Sequence, residues 1–193
     1  MSKTKKILRT ILVAGVLSAL AALATFSAFS SQTDNPGNNV TAGTVALTDN
    51  DGGTAAYNVT NAKPGQSSTP FCIRVLYSGS LDEDVKLYAA SAVSRPLAPY
   101  VNLKVDTGSG TSTNCSDFAQ AAGDATLFNS TLDTFPSTYG TGIMDSGPAA
   151  ATKWVNTNAV TYRVTATLSA SAPDTAQAAT TGSHTIRFEA RNQ

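Results

Sequence analysis

A single histidine, His184, serves the whole chain of 193 residues, and that scarcity bounds the chemistry available to it. It is followed by Thr185-Ile186-Arg187, so the H-E-x-x-H helix that would offer two zinc ligands and a general base is absent. Serine and aspartate are plentiful enough for a Ser-His-Asp triad, but no G-x-S-x-G elbow presents a nucleophile. His184 stands in an alternating stretch with Ile186 and Phe188, where a histidine is ordinarily a sheet residue. The expectation is therefore no catalytic residue, no metal ligand and no cofactor.

Two acidic stretches invite a calcium reading. In "TDNDGG", Thr48 to Gly53, Asp49 and Asp51 open like a calcium loop, yet the twelfth position counted from Asp49 is Thr60 and not a bidentate glutamate. The stretch reads instead as a tight turn between two strands. Asp82-Glu83-Asp84 reads as a hairpin tip with solvated charges. Cys72 and Cys115 are the only cysteines, and in an exported chain an even count predicts one disulfide; the competing reading is two free thiols. Closing that loop of roughly 43 residues is worth at most about 4 kcal/mol.

Export is itself read from the first 27 residues. Lys3, Lys5, Lys6 and Arg9 precede an uncharged apolar run from Ile11 to Ala24, the layout of a secretory signal peptide. A retained membrane helix is the alternative, but the run falls short of the roughly 20 apolar residues a bilayer needs. Thr25 and Ser27 supply the small residues that a signal peptidase requires, which places cleavage between Ser27 and Ala28. The membrane then matters only before cleavage, and the mature chain is expected outside the cell or at its surface. Four of the thirteen basic residues leave with the leader, so nine remain against thirteen acidic ones, a net charge of −4. With its basic residues scattered singly, such a domain offers no phosphate-binding face, and nucleic acid is excluded as a partner.

The elements that must position these residues are strands. In residues 160 to 168, Val160, Tyr162, Val164, Ala166 and Leu168 alternate with Thr161, Arg163, Thr165 and Thr167. Similar alternation runs from Val101 to Val105 and from Ile186 to Ala190, with weaker versions at Val45-Leu47, Tyr57-Val59, Phe71 to Tyr77 and Val85 to Ala89. The sequence thus predicts an all-β, two-sheet, jelly-roll-like sandwich of about seven or eight strands. Short helices are expected only at Asp117 to Ala122 and Pro173 to Ala178. Thr107 to Cys115 reads as a mobile loop, and Ser130 to Thr152 as a long irregular excursion. The predicted organisation is a signal peptide over 1–27, a flexible segment over 28–39 and the sandwich over 40–193.

The phrases "TFSAFSSQT", "VTAGTVALT", "NAKPGQ" and "YSGSLDEDVKLYA" together resemble the opening of the TasA/camelysin family of exported proteins with a SipW-type signal peptide. The Thr25-Phe26-Ser27-Ala28-Phe29 motif, the Thr41 to Val45 phrase, the Pro64-Gly65 turn and the late strands around Ala176-Gln177 carry the likeness. It implies a jelly roll that self-associates into extracellular matrix or biofilm fibres, an N-terminal segment of one subunit completing the sheet of the next. On that reading Phe29 is the apolar anchor of a donor strand spanning Ala28 to Asp34, ended by the Asn35-Pro36-Gly37-Asn38 turn signal. Two other readings stay open: an extracellular adhesive or binding sandwich, and a secreted peptidase of the camelysin type, which the missing zinc motif disfavours. A tail without a role is the alternative for residues 28 to 38.

Overall fold

The structure, a computed structural model, describes residues 3–24, 39–120, 126–145, 147 and 153–191. The chain divides into two units, Met1–Thr41 and Ala42–Gln193. The first holds one helix, α1, Lys3–Ala24, built from Leu, Ala and Lys with no proline to interrupt it. Among the described residues no helix is long and apolar enough to cross a membrane. The expected cleavage site at Ser27 and Ala28 and the expected anchor Phe29 lie outside the described residues.

The second unit is an all-β sandwich of eight strands: β1 Leu47–Asp49, β2 Phe71–Tyr77, β3 Asp84–Ala89, β4 Val101–Gly108, β5 Thr126–Thr131, β6 Ile143–Asp145, β7 Ala159–Leu168 and β8 Ile186–Arg191. They form a five-stranded sheet in the order β1-β2-β7-β4-β5 and a three-stranded sheet in the order β6-β3-β8, every pairing antiparallel. β7 lies at the centre of the wider sheet, and its alternation sends Val160, Tyr162, Val164 and Ala166 into the core. Ile73, Val75 and Tyr77 from β2, Leu103 and Val105 from β4, and Val85, Leu87 and Ala89 from β3 meet them there. Truncating a filled position such as Leu103 to alanine costs about 2 to 5 kcal/mol.

Several expectations fail in instructive ways. Tyr57-Val59 is not a strand, so the Asp49 to Gly53 turn does not join two strands; Tyr57 instead turns inward to pack against the core. The excursion from Ser130 contains the end of β5 and all of β6, which pair with β4 and β3 although neither alternates cleanly. No helix starts at Asp117: its carboxylate accepts the Thr111 N–H at 2.8 Å and the Ser112 N–H at 3.0 Å, and Ala119 is bridged to Ser109. The same bonds tie down the stretch predicted as a mobile loop, whose first two residues, Thr107 and Gly108, belong to β4. Pro173 to Ala178 does form one short turn, a 3-10 helix at Asp174–Ala176.

Candidate functional site

A sandwich with unequal sheets has edges, and edges are where backbone donors and acceptors go unpaired. Four strands end the two sheets: β1 and β5 in the wider one, β6 and β8 in the narrower. β1 and β6 are three residues each, and β5 reads Thr-Leu-Phe-Asn-Ser-Thr, mostly polar. β8 differs, with six residues and a row of apolar side chains at every second position.

Its pairing fixes which groups are free. Ala90 N–H donates to Thr185 O at 2.9 Å, and because hydrogen-bonded pairs alternate in an antiparallel ladder, Arg187, Glu189 and Arg191 also point their backbone groups at β3. The N–H and C=O groups of Ile186, Phe188 and Ala190 therefore face outward, and among the described residues no backbone partner meets them. The side chains of the same three residues pack against the core but are only half-buried. Phe188 rests on Tyr162 with ring centroids 4.6 Å apart. The result is an extended, unpaired backbone beside an incompletely covered apolar row.

His184 sits just before this strand and not within it, a correction to the sequence reading. Its Nδ1 donates to Gly182 O at 3.0 Å, which leaves Nε2 to accept from the Tyr57 hydroxyl. Burial pushes the Tyr57 phenol well above its usual range, so the hydroxyl stays a donor. The pair clamps residues 54–60 against the approach to β8. No known family model matches this chain, and neither does any curated protein.

The other residues singled out in the sequence fall elsewhere. Cys72 and Cys115 are joined, with Cα atoms 5.2 Å apart, and the bond fastens the 109–119 loop to the first turn of β2. Cys72 N–H also donates to Thr113 O at 2.9 Å, and Arg74 N–H to Asn50 Oδ1 at 2.8 Å, so the outer edge of β2 is covered where β1 does not reach. Asp49 and Asp51 spend their carboxylates on the turn itself: Asp51 N–H donates to Asp49 at 3.3 Å and Gly53 N–H to Asp51 at 2.7 Å. Among the described residues no group of three or more acidic, histidine or cysteine side chains is placed to hold a metal.

The largest correction concerns Asp82-Glu83-Asp84. This is not a solvated tip: Glu83 is 0% exposed and Asp84 is buried beneath Lys153, which pairs with it at 2.8 Å. Glu83 exchanges two backbone hydrogen bonds with Trp154, at 3.0 and 2.8 Å, and Trp154 Nε1 donates to Asp145 O at 3.0 Å. Asp145 in turn accepts from the Tyr162 hydroxyl. The sequence held a signal for this, because Glu83, Val85, Leu87 and Ala89 share one face at period two. Asp106 was also missed; it is buried and gathers Lys104, Arg163 and Thr126 at 2.9, 2.9 and 2.6 Å.

Proposed function

We propose that the chain is a secreted structural subunit whose copies join into extracellular fibres by strand donation. A signal peptidase removes residues 1–27, and the segment beginning Ala28-Phe29 adds as an extended strand along the open edge of β8 in the next copy. The observation that carries this reading is the unpaired backbone of Ile186, Phe188 and Ala190 beside their half-buried side chains. A strand added there would satisfy the free N–H and C=O groups and cover the apolar row, the two gains that drive β-augmentation. The likeness of the leader and early motifs to TasA/camelysin-type proteins supports the same conclusion, as does the lack of any zinc motif for the peptidase alternative.

Electron microscopy tests it with three proteins: the chain starting at Ala28, the chain lacking residues 28–38, and an Ala190→Pro variant of the first. Proline removes an outward N–H without touching the β3 ladder. Fibres are expected from the first protein alone. Fibres that survive removal of residues 28–38 would exclude this donor, and fibres indifferent to Ala190→Pro would exclude β8 as the acceptor.

A further inference from the structure

Glu83 is 0% exposed, and among the described residues neither oxygen of its carboxylate has a hydrogen-bond partner. Among the described residues these are the only buried side-chain polar atoms in that condition. Neighbours that could have donated are engaged: the Tyr77 hydroxyl of β2 donates to Leu81 O at 2.6 Å, the Lys153 ammonium is held by Asp84 at 2.8 Å, and the Tyr162 hydroxyl of β7 goes to Asp145 of β6. Asp82 and Asp84 flank it in the chain and add negative charge. An ionised carboxylate sealed in such a place, without a donor, is far more costly than a neutral acid.

We propose that Glu83 is a proton-operated latch on this end of the sandwich. Carrying a proton, it stays beneath its backbone bridge to Trp154; losing the proton, the carboxylate leaves the interior and the bridge opens. The titration agrees with the geometry: burial pushes the Glu83 carboxyl above its ordinary 4.5, Lys153 pulls it down, and Asp84 and Asp82 push it up again, with a net rise. A carboxyl whose folded value is raised binds its proton more tightly in the folded state. Its contribution therefore favours the closed form at acid pH and is lost as pH climbs from the ordinary glutamate value through the raised one.

What the latch controls follows from the hydrogen bonds next to it. Leu81 is tethered by Tyr77, and residues 78–80 carry the β1 ladder onward, Ser78 N–H to Ala46 O at 2.9 Å and Ser80 N–H to Thr44 O at 3.0 Å. An open Glu83–Trp154 bridge loosens the stretch that holds residues 44–46. An external domain thereby senses the acidity of its surroundings at the point where its first edge strand is secured.

Amide exchange at Glu83 and Trp154, corrected for intrinsic rates and followed across pH in the purified protein and in Glu83→Gln, tests the proposal. In the parent the opening constant should rise with pH above the glutamate range, by up to about tenfold per pH unit for one proton released. In Glu83→Gln both amides should stay protected throughout. Equal pH dependence in the two proteins, or none in the parent, overturns the latch. Should the glutamine variant not fold, carbon NMR of the Glu83 carboxyl in the parent decides: a midpoint above 4.5 supports the latch, and one at or below 4.5 overturns it.

Discussion

Along the outer side of β2, Cys72 and Arg74 donate to Thr113 and Asn50, and a disulfide holds the covering loop in place. Along the outer side of β8, Ile186, Phe188 and Ala190 meet no backbone partner among the described residues. Both edges belong to long strands with apolar faces, so both carry the same hazard of pairing with another chain. One is closed by a covalent staple and the other is left open. The open side of β8, more apolar than that of β5 and longer than those of β1 and β6, is the edge that the proposed joint between subunits would use.

Undoing the staple should give the largest effect. Replacing Cys72 and Cys115 by serine is expected to lower stability by up to about 4 kcal/mol and to expose the β2 side, adding a second apolar strand with an uncovered backbone. Denaturant unfolding reads the first consequence, and light scattering of the undenatured variant reads the second. If stability falls but scattering does not change, the loop supports the fold without guarding the edge.

Weakening the donor comes next. Burying a phenyl ring is worth roughly 1.5 to 3 kcal/mol, so Phe29→Ser should raise the critical concentration for assembly by about one to two powers of ten. Thermal unfolding of the monomer should not move if, as proposed, the donor enters a neighbour's sheet. A destabilised monomer with unchanged assembly would mean that the segment folds onto its own domain.

Acid should narrow the difference between the two edges. Asp117 is held below the ordinary carboxylate range, chiefly by the Thr111 N–H, then by the Ser112 N–H and the Thr111 hydroxyl. A depressed value means that its contribution is present above the unfolded value, 3.8, and is lost as pH falls through the folded one. Amide exchange in the 109–119 loop should therefore quicken at strongly acid pH, and in Asp117→Ala it should be quick at every pH. The smallest effect is expected at the clamp beside β8: Tyr57→Phe removes one hydrogen bond to His184 and should cost about 1 kcal/mol, measurable as a small shift in unfolding midpoint.

Much of the sandwich could be read from period-two alternation, since β2, β4, β7 and β8 each lean on a row of apolar residues that only a half-buried strand explains. The disulfide follows from an even cysteine count in a chain whose first residues read as an export leader. β5 and β6 could not be read that way. "TLFNST" and "IMD" are too polar or too short to alternate, and they are strands because β4 and β3 offer them partners. The same reason hid the open edge, because strand order, and so which strand lacks a neighbour, is a property of tertiary pairing. Glu83 is hidden for a different cause: three consecutive carboxylates read as solvated, although by register with Val85, Leu87 and Ala89 it belongs on the inner face.

Hydrogen exchange at three amides tests the central claim most directly. In the monomer, the N–H groups of Ile186, Phe188 and Ala190 should exchange rapidly while those of Arg187 and Glu189, bonded to β3, are protected. In the fibre all five should be protected, with no gain along β5 or β6. Slow exchange at Ile186, Phe188 and Ala190 already in the monomer, or exchange there that assembly leaves unchanged, would contradict β8 as the joint between subunits.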